Sequence, residues 1–205
     1  MLRRWLPIPP ALRAGLASLR QRLARHQLPQ DDDPSLVWAA VALIVAPNPD
    51  SILLIRRADR DGDPWGGHMA LPGGRREPED PDLVTTAVRE TREEVGVGLG
   101  ADQLAGALAD VIPRTPVLPP IAVRPFVFQV PDRPQLSPNP EVAQATWVTL
   151  DYLVRPETHH PIRVEVGGKD RLVPAFELEE AIVWGMTERI LTNFLRQLVG
   201  ASDPG

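Results

Sequence analysis

A chain of 205 residues, 43% hydrophobic and 24% charged, suits one globular domain with extensions. Its net charge of −5 argues against a nucleic-acid backbone as main partner, and the lack of cysteine excludes disulfides and thiolate metal sites. No apolar run approaches the roughly 20 residues that span a bilayer, and freedom from cysteine fits a reducing cytosol, so a cytoplasmic location without membrane attachment is expected.

The N-terminus is rich in Arg and has no acid before Asp31. Leu12, Leu16, Leu19 and Leu23 recur at helical spacing, with Arg20, Arg22 and Arg25 largely off that face. This predicts an amphipathic helix packed on the body or on a partner subunit. Arg13 and Arg20 interrupt the apolar stretch that a secretory signal needs. Charge flips from basic to acidic through QLPQDDDPS (27–35). The expected division is a basic amphipathic extension over 1–34, one main domain over 35–199 and a flexible tail over 200–205. WAAVALIVAP reads as a strand closed by Pro47, and SILLIRR as its hairpin partner. RADRDGDPWGGH is a loop by composition, leading through Met69-Ala70-Leu71 into Pro72-Gly73-Gly74.

The clearest predicted helix covers 81–95. Asp80 suits its N-cap and Pro81 its first turn. Val84, Val88, Thr91 and Val95 make the inward stripe, and Gly96 is the stop. IAVRPFVFQV (121–130) is a predicted strand despite Pro125, as is ATWVTL (145–150). The proline-bearing segments 112–120 and 131–140 read as loops, and RVEVGGKDRLV (163–173) as a hairpin about Gly167-Gly168. A final helix is expected over about 176–198. It is apolar on more than one side through Ile182, Val183, Trp184, Met186, Ile190, Leu191, Phe194 and Leu195, and should lie against the sheet or at a subunit interface. Interleaved strands and helices give a mixed α/β class.

Glu90, Glu93 and Glu94 fall within five residues of the predicted helix. Positions 90 and 94 stack on one face with 93 beside them, and like charges so placed cost roughly 0.2–0.5 kcal/mol per pair. Arg89 and Arg92 relieve part of this. An exposed, salt-bridged helix would account for such a run. The preceding Gly73-Gly74 adds a turn at which backbone can approach a ligand closely. Carboxylates beside such a turn suit a hard cation, Mg²⁺ or Mn²⁺, whose shell substrate phosphates complete.

Leu71-Pro72-Gly73-Gly74 together with Arg89-Glu90-Thr91-Arg92-Glu93-Glu94-Val95-Gly96-Val97 resembles a Nudix box. The family pattern runs Gly, five residues, Glu, seven residues, then Arg-Glu-U-x-Glu-Glu-x-Gly-U, with U a bulky apolar residue. Here Thr91 stands at a U position, Asp80 replaces the first Glu, and eight residues rather than seven lead to Arg89. That Asp and extra residue resemble the coenzyme A diphosphatase branch. So do GHMALPGG, beside its Gly-x-x-Ala-Phe-Pro-Gly-Gly lead-in, and VWGMTERIL, beside its Trp-Gly-x-Thr segment. RRADRDGDPWGGH departs from the basic Leu-Thr-x-Arg-Ser stretch of that branch.

The resemblance covers roughly 36–198 and implies a Nudix fold, a mixed sheet sandwiched between helices. It implies metal-dependent hydrolysis of a nucleoside diphosphate linked to another moiety. Glu90, Glu94 and the Gly73 carbonyl would be metal ligands. Glu93 would be a further ligand or help activate water, and Arg89 would hold the carboxylates. Coenzyme A or its thioesters are the expected substrates, with ADP-ribose, NADH or another nucleotide conjugate as alternatives. The family is also compatible with a homodimer.

Outside the box, Glu141 is the candidate base because it sits on a loop before a predicted strand; a solvated loop acid is the competing account. Asp110 is a weaker alternative. Arg56 and Arg57 could pair with a 3′-phosphate, His68 and Gly74 lie where phosphate would approach, and Trp65 could stack on adenine. Each of these has an ordinary structural account: rim arginines, a hydrogen-bonded loop His, a Trp plugging the local core. His159 and His160 read as surface residues. A nucleotide sensor on the same fold is the rival from another class, but it would favour loss of box carboxylates, and all three are present. A di-iron bundle needs Glu-x-x-His pairs, which the chain lacks.

Overall fold

The computed structural model describes residues 10–24, 33, 35–60, 65–113, 121–166 and 168–199. Arg25, most of the acidic linker and the segment 200–205 lie outside them. Among the described residues no helix is long and apolar enough to cross a membrane.

The centre is a mixed sheet built on β1 (Val37–Ala46) and β6 (Ile121–Gln129), which run parallel from Val37 opposite Ile121 to Val45 opposite Gln129. Both are apolar on both faces, as strands buried between two layers must be. Leu43 and Val45 enter one core cluster, while Ala40, Ala42, Ile44 and Ala46 enter the other. β5 (Leu104–Ala107) flanks β6. Pro125 lies inside β6, where β5 has ended at Ala107 and before the bridge between Val111 and Val123, so its missing N–H falls in a gap of the ladder.

On its other side β1 is shared. Its C-terminal end pairs with β2 (Ser51–Arg57) in the expected hairpin, and its N-terminal half pairs with the short β4 (Gly73–Arg75). β2 carries β3 (Met69–Ala70) and β7 (Val142–Thr149), which runs into the short α4 (Leu150–Leu153). Helix α3 (Leu83–Val95) covers one face. The other face is packed by α1 (Pro10–Ala17), α2 (Leu19–Leu23) and α5 (Gly185–Val199). The result is an α/β sandwich on a mixed sheet.

The leucine face near the N-terminus is part of this second layer. Leu12, Leu19 and Leu23 are buried in the same cluster as Phe194 and Leu198. Arg22 donates to the Gln197 carbonyl at 3.0 Å, and Gln129 to the Leu16 carbonyl at 3.2 Å.

Two expectations are corrected. The terminal helix does not begin near 176. β8 (His159–Val166) and β9 (Lys169–Glu177) form the hairpin, longer than its sequence suggests, and β10 (Ile182–Trp184) returns along β9 before α5 starts at Gly185. Leu178 donates to the Ala181 carbonyl, closing a turn, and Phe176 and Val183 pair across it into the core. Their pattern is that of a hairpin, and the apolar count alone hid it. The box helix begins at Leu83 with Asp82, not Asp80, as its cap: the Asp82 side chain accepts from Thr85 N–H at 2.7 Å. Its inward residues include Leu83, Ala87, Thr91 and Val95, with Val84 and Val88 only partly buried. Gly96 closes it in the left-handed conformation, as expected.

Candidate active site

α3 packs over β1 and β4, which brings Gly73 and Gly74 under its acidic face; the expected Gly-Gly turn is strand instead, paired with Val41 and Ala40 of β1. Glu94 is 4% exposed, and its Oε2 accepts from the Gly73 N–H at 2.9 Å. Burial pushes its carboxyl up to about 7, against the pull of that N–H; the Glu90 and Glu141 charges add to the rise and Arg57 opposes it. Glu90 is raised too, by burial first, while Arg89 holds it down.

Gly73 is required, and Gly74 leaves room for Glu90. A Cβ on Gly74 would fall on the Glu90 carboxylate. Gly73 sits at φ +151, and a Cβ there would fall on the Ala40 carbonyl.

Asp80 explains why the box tolerates it in place of Glu. It is 4% exposed and forms a two-pronged pair with Arg89, Nε to Oδ1 at 3.1 Å and Nη2 to Oδ2 at 2.9 Å. Thr86 Oγ1 and the Glu77 N–H also donate to it. Chiefly through Arg89, its carboxyl is held down to about 2. Arg89 also donates to Glu90 at 3.1 Å, to Glu93 at 3.1 Å and to the Arg75 carbonyl at 3.2 Å. One guanidinium therefore ties α3, the turn before it and β4 together.

The other candidates divide. Glu93 shares Arg89 Nη1 with Glu90 and lies at the exposed side of the group. Its side chain is 55% exposed and held by Arg89. Among the described residues no three His, Asp or Glu side chains gather into a metal cluster. Strand alternation separates the two arginines at the end of β2. Arg57 follows Leu53 and Ile55 towards α3, where its charge acts on Glu94. Arg56 is opposite Met69, on the other face, and donates Nε to the Gly67 carbonyl at 3.3 Å.

Glu141 is near enough for its charge to act on Glu94; it is 53% exposed and pairs with Arg60 at 3.0 Å. Asp110 is remote in role: both its oxygens are engaged by the buried Arg124, at 2.8 and 2.9 Å. His68 accepts at its carbonyl from the Arg57 N–H and meets Trp184 ring to ring. Trp65 is 38% exposed. His159 and His160 lie on the second sheet and face Glu188 and Glu177 at 2.7 and 2.9 Å.

The residues fit a divalent cation. Glu90 and Glu94 are carboxylates that burial discourages from ionising, one helical turn apart, beside the two glycines of β4. Two carboxylates with backbone oxygen, leaving the rest of the shell to ligand and water, is the usual way Mg²⁺ is held.

A model of the NUDIX domain matches residues 36–166. The chain belongs to the Nudix family. Members are hydrolases acting on nucleoside diphosphate derivatives, generally with divalent metals. The chain is 30% identical over 161 residues to an uncharacterized Nudix hydrolase, NudL, of Photorhabdus laumondii, covering 78% of this chain and 84% of that one. It is 40% identical over 119 residues to an uncharacterized protein of Schizosaccharomyces pombe, covering 56% of this chain and 36% of that protein, so it spans about a third of that relative's length. A MutT/nudix family protein from Enterococcus faecalis has the same fold, with a TM-score of 0.60 at 17% identity over 95% of this chain and 76% of the other.

Within this Nudix domain the box was legible in sequence. The contact of Trp184 with His68 was not, although VWGMTERIL had already marked the segment.

Proposed function

We propose that this Nudix domain hydrolyses the pyrophosphate bond of coenzyme A or its thioesters, giving 3′,5′-ADP and (acyl-)4′-phosphopantetheine. The observation that supports the chemistry is the buried Glu94 and the partly buried Glu90 against Gly73-Gly74, with Arg89 fastened to Asp80 behind them. The substrate rests on the branch resemblance: Asp80 at the first acidic position, GHMALPGG and VWGMTERIL. The departure of RRADRDGDPWGGH (56–68) from that branch leaves ADP-ribose or NADH as the second reading.

Glu90, Glu94 and the Gly73 carbonyl would hold Mg²⁺ or Mn²⁺. When bound, the cation neutralises phosphate oxygens and lowers the pKa of a water. Arg89 opposes the burial that disfavours the Glu90 carboxylate and holds it in place. Arg57, on the Glu94 side of β2, would attract the phosphates. Glu141 would take the proton of the attacking water; the water oxygen bonds to one phosphorus, and the bridging oxygen leaves with the other phosphate. Positioning supplies most of the acceleration.

The test is incubation with Mg²⁺ or Mn²⁺ and a panel of coenzyme A, acetyl-coenzyme A, ADP-ribose, NADH and nucleotide sugars, with products identified by mass and Glu94→Gln in parallel. Formation of 3′,5′-ADP, lost in the variant, is the expected result. Cleavage of another panel member alone moves the substrate. Binding without turnover would replace the hydrolase by a sensor.

A further inference from the structure

Trp184 belongs to the second sheet and meets His68, beside the end of β2 that carries Arg57. β10 abuts β3. Val183 is fully buried in the cluster away from α3, so alternation turns Trp184 the other way. His68 is turned likewise, since its neighbour Met69 enters that same cluster. The two rings meet edge to face, 5.1 Å between centroids at 60°. Both residues are partly exposed.

Both rings stand on stiff backbone. The His68 carbonyl accepts from Arg57 N–H at 3.0 Å, and the adjacent Gly67 N–H donates to the Arg57 carbonyl at 3.0 Å. Trp184 pairs with Ala175 on β9 and passes directly into α5. Arg57 acts on Glu94. His68 is thus one strand spacing, about 5 Å, from Arg57, and its ring centroid lies 5.1 Å from that of Trp184. A nucleoside extending along this edge from phosphates held at Glu90 and Glu94 would meet the indole.

The chemistry of the surface selects the ligand. An indole with two rotatable bonds, fixed on a strand, is a low-entropy platform for a flat ring. An apolar chain would need a trench instead. The groove of about 340 Å³ lined by Leu12, Phe176 and Leu195 opens from the cluster on the opposite face of the sheet, away from Glu94. We infer that Trp184, steadied by His68, forms the wall on which the aromatic base of the nucleoside diphosphate stacks. The inference rests on the hydrolase reading above and names the residue that recognises its nucleotide half.

Steady-state kinetics on whichever panel substrate the full chain hydrolyses, with Trp184→Phe, Trp184→Met and Trp184→Ala, test it. The Met variant keeps bulk without a ring and serves if the Ala variant fails to fold. KM should rise roughly 5- to 100-fold in Met and Ala, the range of base stacking. It should stay near wild type in Phe, with kcat changed less than about 2-fold in all. A ribose 5-diphosphate ester lacking the base should show no KM difference among the four proteins. Unchanged KM in Trp184→Met, or an equal loss on the base-free ester, would overturn the inference while leaving the hydrolase intact. If wild type turns over nothing, the hydrolase reading fails by itself. Calorimetric binding of ADP then decides the wall: weaker binding by the Met variant supports it, and equal or no binding refutes it.

Discussion

Arg89 grips Asp80 with two nitrogens, at 3.1 and 2.9 Å, and reaches Glu90 and Glu93 with a third. Asp80 is buried and lies ahead of the helix, so the pair locks the chain preceding α3 onto the helix face that carries the acids.

Acid should undo that lock. The folded Asp80 pKa, about 2, lies below the ordinary value of 3.8. The pair's contribution is therefore complete above about pH 4 and is lost as pH falls towards 2. Asp80→Asn should lower stability near pH 7 by about 2 kcal/mol, less than a fully buried pair because Arg89 keeps other partners. Its deficit against wild type should shrink by pH 2.5. Urea melts at pH 7 and 2.5 measure both; a deficit independent of pH would refute the assignment.

Glu94 has the opposite sign. Its folded pKa, about 7, lies above the ordinary 4.5, so the metal-free protein should lose stability as pH rises from 4.5 through 7. Glu94→Gln should flatten that slope in thermal melts. Mg²⁺ or Mn²⁺ should raise the wild-type Tm more at pH 8 than at pH 5 and leave the variant unmoved. Turnover in the variant should fall more than about 100-fold, beyond the usual cost of losing an outer partner of a metal ligand.

Gly74→Ala places a methyl group on the Glu90 carboxylate. The carboxylate has to swing away from Glu94, so turnover and Mn²⁺ affinity should both drop while circular dichroism stays native. Retained Mn²⁺ affinity would show that Glu90 is not a ligand.

Glu141 and Asp110 should separate cleanly. Glu141→Gln should lower kcat with KM nearly constant, because the side chain is exposed and lies beside Glu94. Asp110→Asn should leave kcat within about 2-fold and instead cost stability, on the order of 3 kcal/mol, by stranding the buried Arg124. The reverse pattern would make Asp110 the base.

Leu23→Ala should destabilise by about 2–5 kcal/mol, as at other buried leucines. Leu23 is 1% exposed against β5, so α2 belongs to the folded core. Denaturant titration reads the loss, and a change within 0.5 kcal/mol, the usual range for a surface site, would show α2 to be dispensable.

Local patterns carried far in this chain. The periodic acids and the glycine stop identify the box helix, because a helix face and its caps are decided by residues within a few positions of one another. The β1–β2 hairpin and the β6 strand are legible for the same reason. Long-range pairing decided the rest. Whether Asp80 caps a helix or answers Arg89 depends on where the intervening turn folds. Arg56 and Arg57 are adjacent in sequence, and the pleat sends them to opposite faces. The segment 176–184 is apolar enough for a buried helix, and it folds instead as the end of β9, a turn and the paired β10. That pairing carries Trp184 to His68, a meeting across more than a hundred residues that only the packing of the second sheet against β3 could create.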